Sequence, residues 1–455
     1  MFFGILMLAV LWGGYLFLAS RLEQRAKIDI HAQPPALSAQ NNESFRFLSY
    51  RQAQMAQIGV LASVQVLFGA LTGIFYGPLQ MLWIVGGTLL FGATVNYFAG
   101  LYAMRHNGQT WLCAMREMHP KIFAVTNILA LVMVLIGVAG VCLATYYVGY
   151  ASHLYSPVLY LYFAGMFFLA FCNQSKFNIF AMFNGFLFVL VSGYFALFSM
   201  PELPNIMLAF DGKIYPQIKF TYPMMFFAIS TGVLSGAEML KCCLVAPAIK
   251  NEKMVKGVYF GSSILVAGLM IVWAMVMLAW NPDMMLLANS LYKFQYPYEL
   301  INTALLRHFN LFGFGVFYLM LICLCISGGA TLLRTARQMA EDSGYFKKIP
   351  SEYVVIVLFV LALLFYAFSP IVAYFEVLNM LLVCVGLFLL AQKLGHQRLY
   401  FPAIAFFFGI CVAQVLLVYT HTSYTMAILN GILTSILLMC GFYVYCRFKL
   451  EAERL

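Results

Sequence analysis

The sequence predicts an all-α polytopic membrane protein with about thirteen transmembrane helices. Three observations support this fold class. Of the 455 residues, 64% are hydrophobic and 9% are charged, whereas soluble domains are roughly half apolar and a quarter charged. The apolar runs are continuous and do not alternate with polar residues, which excludes a β-barrel. The basic residues alternate between successive loops, as a multi-pass helical protein requires.

The spans follow from apolar runs that end at charged or proline-containing segments. In chain order they are predicted at residues 1–20, 55–76, 79–104, 121–150, 154–172, 177–200, 222–240, 257–280, 312–333, 351–369, 372–392, 400–420 and 424–446. Residues 21–53 contain QPPALSAQNNES and are predicted to be a cytoplasmic linker. The other connections are predicted to be an external loop at 201–221, an external segment with interfacial or re-entrant helices at 281–311, and a cytoplasmic tail at 447–455.

The orientation follows from the distribution of positive charge. Of the 26 lysines and arginines, 22 fall on one side of this topology and 4 on the other. Because basic residues mark the cytoplasmic side, we expect an inner-membrane protein with its amino terminus outside and its carboxyl terminus in the cytoplasm. The same rule accounts for the formal net charge of +10, so the lipid bilayer is an expected partner and nucleic acid is not. The first apolar run lacks a preceding basic segment, which favours a retained helix over a signal peptide.

A carboxylate interrupts the seventh span. The stretch ISTGVLSGAEMLKCCLVAP, at 229–247, contains Glu238, and a charge at the centre of a membrane helix costs about 2.5–3.5 kcal/mol on insertion scales. Residues that weaken a helix or satisfy freed backbone groups surround it: Ser230, Thr231, Gly232, Ser235 and Gly236. This composition predicts a discontinuous helix of the kind that binds substrate and ions in secondary transporters. The alternative is a surface pair of Glu238 with Lys241 near the cytoplasmic interface, which needs no function.

Other polar positions give weaker indications. Glu376 lies early in the eleventh span, and Pro370 ahead of it indicates a place near the outer surface. The seven histidines fall in loops or at span edges, and neither a zinc-binding HExxH motif nor a phosphate-binding glycine loop is present. We therefore expect no metal site and no cofactor, and neither an ATP-driven pump nor a metalloprotease.

Four stretches resemble the carbon starvation protein (CstA) family, which is related to the amino acid–polyamine–organocation superfamily. They are MLWIVGGTLLFGATVNYFAGLYAMRHNGQT (81–110), GVLSGAEMLKCCLVAP (232–247), LLRTARQMAED (332–342) and FEVLNMLLVCVGLFLLAQKLGHQRLY (375–400). The resemblance implies a LeuT-like core of two inverted five-helix repeats, here residues 54–200 and 222–393. Helix 1–20 and the two helices within 399–446 would then be peripheral. The predicted topology agrees, because the second and seventh spans run in opposite directions.

The chain departs from the family pattern at several polar positions. The Gly/Pro-rich break of the first core helix is replaced by VLASVQVLFGAL (60–71), and Glu238 takes the place of a histidine. This chain has Asn96 where the family has an acidic residue, and Ala330 where the family has an aspartate. At Arg334, Arg337 and Asn379 it agrees with the family pattern. The resemblance therefore implies the fold more securely than the substrate.

The resulting hypothesis is a secondary transporter that imports pyruvate or peptides, coupled to protons, by alternating access. The candidate residues for binding substrate or ions are Ser63, Gln65, Asn96, Ser230, Thr231, Gly232, Ser235, Gly236, Glu238 and Asn379, and the candidate cytoplasmic gate residues are Arg334 and Arg337. The alternatives are a non-transporting sensor or structural paralogue and a transporter of another small solute, such as an amino acid. An enzyme is not expected, because no catalytic cluster can be assembled from these residues.

Overall fold

The computed structural model describes residues 2–26, 28, 47–63, 80–118, 120–151, 155–199, 236–280, 311–344, 350–365, 371–394, 397–419 and 423–452. These parts of the chain are almost entirely helical. The extended contact among them is a single isolated bridge between Leu48 and Ile249.

The helices are numbered here in chain order. They are α1 (Phe2–Ala26), α2 (Tyr50–Leu61), α3 (Gln80–Gly87), α4 (Ala93–Arg105), α5 (Cys113–Met118), α6 (Pro120–Ala151), α7 (Tyr155–Phe171), α8 (Gln174–Phe198), α9 (Gly236–Lys241), α10 (Ser262–Trp280), α11 (Leu311–Ser343), α12 (Ser351–Phe365), α13 (Ile371–Leu394), α14 (Gln397–Tyr419) and α15 (Tyr424–Ala452). A π-helical turn, Thr88–Gly92, joins α3 to α4, and a second, Lys256–Gly261, leads into α10.

Seven described helical segments are long and apolar enough to cross a membrane, and four shorter apolar helices accompany them. Each of the predicted spans overlaps a described helix. The outermost helix α15 leaves large apolar side chains such as Leu433 and Leu437 uncovered by protein. In a bilayer these side chains face lipid, since lipid tails are the apolar solvent for such a surface.

Several helices extend beyond the predicted spans. Helix α1 continues to Ala26 and α2 begins at Tyr50, so both enter the predicted linker 21–53. Helix α15 extends to Ala452, into the predicted tail. Hydropathy locates the apolar part of a helix, whereas backbone hydrogen bonds continue through polar residues beyond the bilayer.

The second predicted span, 55–76, is also not one continuous helix. Helix α2 ends at Leu61, and Ala62 has an extended backbone with ψ of 99°. The interruption occurs without glycine or proline at Ala62, because side chains from two other helices bind the final carbonyl groups, as described below. The predicted external segments 201–221 and 281–310 lie outside the described residues.

Helix packing brings α2 and α9 together. Helix α2 packs against α8, and α9 packs against α13, α4 and α11 and also touches α2. Helix α11 packs against α6 and α7, and α14 lies between α13 and α15. The described residues of α9 are buried among these helices.

Candidate functional site: a buried polar cluster around helix α9

Helix α9 is anchored to α13 by a side chain and by a close backbone approach. The Asn379 Oδ1 atom accepts a hydrogen bond of 2.9 Å from the backbone N–H of Ala237. The Asn379 side chain on α13 therefore binds the backbone of α9 directly. A Cβ on Gly236 would lie 2.6 Å from the Asn379 carbonyl oxygen and 2.5 Å from Leu382 Cβ, so glycine is needed for this contact.

Glu238 and Lys241 are both inside the protein. Their relative exposures are 3% and 1%, and each charge acts electrostatically on the other. The interpretation as a surface pair at the cytoplasmic interface is therefore wrong. Burial of charged groups is costly, because removal from water disfavours the charged form. Two such groups inside a mostly apolar chain point to function.

Helices α4 and α10 complete the surroundings of Glu238. The Asn96 amide hydrogen-bonds to the Glu238 carboxylate and donates to Ser263 Oγ at 3.0 Å. The Ser263 hydroxyl in turn donates to the Tyr259 carbonyl at 2.9 Å. Four elements thus contribute to one polar cluster, defined here as Asn96, Glu238, Lys241, Ser263 and Asn379.

The cluster extends toward α2 through Gln57. The Gln57 amide nitrogen lies 3.8 Å from Cys242 Sγ, and its Oε1 atom is buried with no hydrogen-bond partner among the described residues. The Tyr259 hydroxyl is likewise buried without a described partner. Buried polar atoms are normally paired, so these two supply unused acceptor and donor capacity beside the cluster.

A second polar contact holds the carboxyl end of α2. Asn184 Nδ2 on α8 donates to the carbonyl oxygens of Gly59 at 2.8 Å and Ala62 at 3.3 Å. Ser327 Oγ on α11 also donates to the Gly59 carbonyl, at 2.8 Å. Ser63 follows directly and is buried opposite Gly328 of α11. Side chains on two longer helices, α8 and α11, therefore donate hydrogen bonds to the carbonyl groups at the end of α2.

The predicted binding residues divide into two groups. Asn96, Gly236, Glu238 and Asn379 come together around α9, while Ser63 lies at the end of α2. The other candidates lie outside the described residues: Gln65, Ser230, Thr231, Gly232 and Ser235.

Both predicted gate arginines are engaged at the ends of helices. Arg334 Nη1 donates to the carbonyl groups of Leu169 and Cys172 at 2.8 and 2.9 Å, which caps the carboxyl end of α7. Arg337 forms ion pairs with Glu341 and Glu352, which join α11 to α12. These contacts give both side chains a structural role, and their role as a gate stays a prediction.

The segment between α4 and α6 is fixed by polar contacts to other helices. Asp342 Oδ2 accepts hydrogen bonds from the Thr110 backbone N–H and hydroxyl, at 2.7 and 2.9 Å. Arg105 binds both oxygens of buried Glu252 at 2.8 Å. Burial raises the pKa of the nearby Cys113 thiol to about 12, so this thiol stays neutral and is a poor nucleophile. Within the described ranges, no group of His, Cys, Asp and Glu side chains is arranged to hold a metal ion.

Sequence reasoning missed Asn184 and Ser327 and misplaced Lys241. A signal for Asn184 was present, because FAMFNGFLF carries an amide next to a glycine inside an apolar span. Polar residues at such positions are expensive and usually have a partner within the bundle. Ser327 gave less indication, since a serine in a membrane helix commonly bonds to its own backbone.

Comparison with known proteins identifies the fold. No protein-family model matches the chain. It is 25% identical over 331 residues to an uncharacterized membrane protein of Haemophilus influenzae, covering 59% of this chain and 89% of the relative. Among solved structures, a substrate-bound, outward-open Na+-coupled sialic acid symporter aligns with a TM-score of 0.58 at 9% identity, covering 94% of this chain and 95% of the symporter. The chain has a LeuT-like fold.

Two further solved transporters share this architecture. A mutant manganese transporter of Eremococcus coleocola aligns with a TM-score of 0.55 at 13% identity, covering 89% of this chain and 94% of the transporter. MhsT in complex with L-phenylalanine aligns with a TM-score of 0.51 at 11% identity, covering 86% of this chain and 99% of MhsT. These neighbours are transporters and not enzymes. Identities this low show the fold alone, so the CstA resemblance and the substrate stay predictions.

Proposed function

We propose that this protein is a secondary transporter of the inner membrane that imports a small organic acid together with a proton. The observation that carries the proposal is the burial of Glu238 and Lys241 on α9, which gives way to a 3₁₀ turn at Cys242, inside a LeuT-like fold. Interrupted helices near the middle of such bundles are where secondary transporters bind substrates and coupling ions. The predicted orientation, with the amino terminus outside, belongs to this proposal.

The opposite charges of Glu238 and Lys241 suggest how proton and substrate are coupled. With Glu238 ionised and Lys241 protonated, the cluster has no net charge. Protonation of Glu238 leaves the Lys241 ammonium buried without a compensating anion, which is strongly unfavourable. A substrate carboxylate that enters at this point restores the balance. Proton and anion would therefore favour each other's binding, which is positive coupling between two sites.

This logic defines a substrate class. Pyruvate and peptides, which the CstA resemblance implies, both carry a carboxylate. An amino acid also carries one, and the fold is shared with a structure that holds L-phenylalanine. The Asn96 amide and the Ser263 hydroxyl supply hydrogen-bonding groups beside the charges, which would orient the polar remainder of the substrate.

Alternating access would use α2 and α9 as moving parts. Helix α2 makes its carboxyl-terminal contacts with α8 and α11, whereas α9 is attached to α13. Side chains on three long helices thus hold α2 and α9 in their present positions. A rearrangement of α2 and α9 against α8, α11 and α13 would open the cluster to one side of the membrane.

Uptake into proteoliposomes tests the proposal. The purified protein is reconstituted, an inward proton gradient is imposed, and labelled pyruvate, a dipeptide and an amino-acid mixture are supplied separately. We expect one class to accumulate with the gradient, and Glu238→Gln to abolish this accumulation. Glu117→Gln, which alters a half-exposed carboxylate on α5, is the matched control and should transport normally.

Two results would contradict the proposal. Accumulation by Glu238→Gln that still follows the proton gradient would exclude Glu238 as the coupling group. The absence of uptake of every solute by folded native protein would favour the non-transporting paralogue.

Where pyruvate is taken up, its inhibition by unlabelled amino acids or peptides would rank the carboxylates that the site accepts.

A further inference from the structure

The carboxyl end of α2 has the chemistry of a cation site. Carbonyl groups at the end of a helix lack partners within the helix and carry partial negative charge. In secondary transporters, such half-helix ends coordinate Na+ through backbone carbonyl oxygens. Gly59 and Ala62, three residues apart, present two of these oxygens to the same side-chain nitrogen.

Here neutral donors already occupy these oxygens. The two N–H bonds of Asn184 Nδ2 serve the carbonyls of Gly59 and Ala62, and the Ser327 hydroxyl binds Gly59 as well. A carbonyl oxygen has two lone pairs, so both acceptor positions of Gly59 are filled. On the facing helix α11, the backbone carbonyl of Ser327 also has a partner, because it accepts a hydrogen bond of 2.7 Å from the Thr331 hydroxyl.

The orientation of the Asn184 amide follows from its neighbours. Were the amide rotated by 180°, Oδ1 would face two carbonyl oxygens and repel them unless a cation lay between. In the observed orientation Oδ1 is buried without a described partner, while both N–H groups are satisfied. Asn184 and Ser327 are 0% and 3% exposed, so water does not compete for these contacts.

We infer that the Asn184 amide takes the place of a coupling cation at the end of α2, so that the protein assembles this junction without Na+. The inference rests on the proposed function only where it concerns the coupling ion. It assigns Asn184 as a positioning residue that holds the half-helix permanently, where a bound ion would hold it reversibly. Solute transport would then be coupled to the proton gradient through the polar cluster around Glu238, and this junction would take no part in the coupling.

Sodium binding to the detergent-purified full-length protein tests the inference without requiring transport. Binding of radioactive Na+ is measured at increasing concentration, and thermal unfolding is compared in sodium chloride and choline chloride at equal ionic strength. We expect native protein to show no saturable Na+ binding and the same melting temperature in both salts. We expect Asn184→Asp, which supplies an anionic oxygen next to the two carbonyls and the Ser327 hydroxyl, to bind Na+ and to melt at a higher temperature in sodium chloride.

Asn178→Asp is the matched control. Asn178 lies on the same helix near its amino-terminal end and accepts a hydrogen bond from Gln174 at 3.0 Å, so an aspartate adds the same charge away from the end of α2. It should gain no Na+ response. Should Asn184→Asp fail to fold, Asn184→Ser provides a neutral oxygen at the same position, and its melting temperature should also rise selectively in Na+.

Three outcomes would overturn the inference. Saturable Na+ binding by native protein, removed by Ser327→Ala, would show that the amide rotates and that the oxygens hold the ion. Absence of any Na+ response in both folded Asn184 variants would show that the amide is not what excludes the ion. An equal response in Asn178→Asp would show that added charge alone explains the effect. None of these results depends on the proton-driven uptake assay, so this inference and the proposed function can fail separately.

Discussion

Replacement of Gly185 by alanine tests how closely α2 must be held against α8. A Cβ on Gly185 would lie 2.9 Å from the Gly59 backbone nitrogen and closer still to the Met55 carbonyl oxygen, whereas ordinary Cβ contacts begin at 3.4 Å. The obstacle is backbone, which cannot rotate away as a side chain can. The two helices would have to separate by at least roughly 0.5 Å at this point, the difference between those two distances.

The expected energy comes from overpacking, which costs about 1–3 kcal/mol when a well-packed interior must shift. At the midpoint, about 2 kcal/mol, the ratio of packed to unpacked α2 falls roughly 30-fold, since 1.4 kcal/mol is a factor of ten. A helix of 12 residues is marginal on its own. Once unpacked, α2 should therefore exchange its amide hydrogens with solvent.

Hydrogen–deuterium exchange of peptides covering residues 50–61 measures this change. We expect exchange in Gly185→Ala to be faster than in native protein by about the same 30-fold factor, because exchange tracks the population of the open form. Gly193→Ala is the control on the same helix, where an added Cβ meets nothing within 4 Å. It should leave α2 unchanged and stabilise α8 by about 0.5–1 kcal/mol. Equal exchange of α2 in the two variants would refute the reasoning.

Three further predictions concern the ionic groups and are measured by thermal unfolding. Lys241→Met should lower the free energy of unfolding by about 1–3 kcal/mol, because it removes the positive charge that acts on the buried Glu238 carboxylate. Combining it with Glu238→Gln should recover most of the loss, and a double variant no more stable than the single would contradict this. Glu252→Ala should cost about 1.5–3 kcal/mol, since it removes two charged hydrogen bonds from Arg105, whereas loss of an exposed surface pair elsewhere costs at most about 1 kcal/mol. Arg334→Lys should lower the melting temperature, because the Arg334 guanidinium caps α7 with two hydrogen bonds that a lysine ammonium cannot reproduce in the same geometry. The KM for substrate should stay unchanged. A changed KM at unchanged stability would instead indicate a gate.

Hydropathy was sufficient to predict an almost entirely helical membrane protein, and the described residues include seven helical segments long and apolar enough to cross a membrane. The hydropathy signal depends on composition averaged over about 20 residues, and the apolar runs are long enough to make it strong. The same averaging cannot locate the end of α2. Residues 60–71 are almost uniformly apolar, and the interruption at Ala62 depends on Asn184 and Ser327, which are more than a hundred residues away in sequence.

The candidate site was predicted in part for a related reason. Glu238 and Asn96 are polar residues within apolar spans, and the cost of placing them there is itself a signal. The burial of Lys241 could not be inferred, because a lysine at the end of a span normally extends to the interface. Its surroundings are set by tertiary packing, which brings α4, α11 and α13 around α9.

The two π-helical turns are positions where the length of a helix can change. Each turn, Thr88–Gly92 before α4 and Lys256–Gly261 before α10, holds more residues than regular α-helix would need to span the same rise. Deleting one residue from either turn would convert it to α-helix and leave the flanking segments facing the same neighbours. Deleting one residue from the regular part of α4 would instead rotate every following side chain by about 100°. The two turns are thus the places inside these helices where a change in length is tolerated.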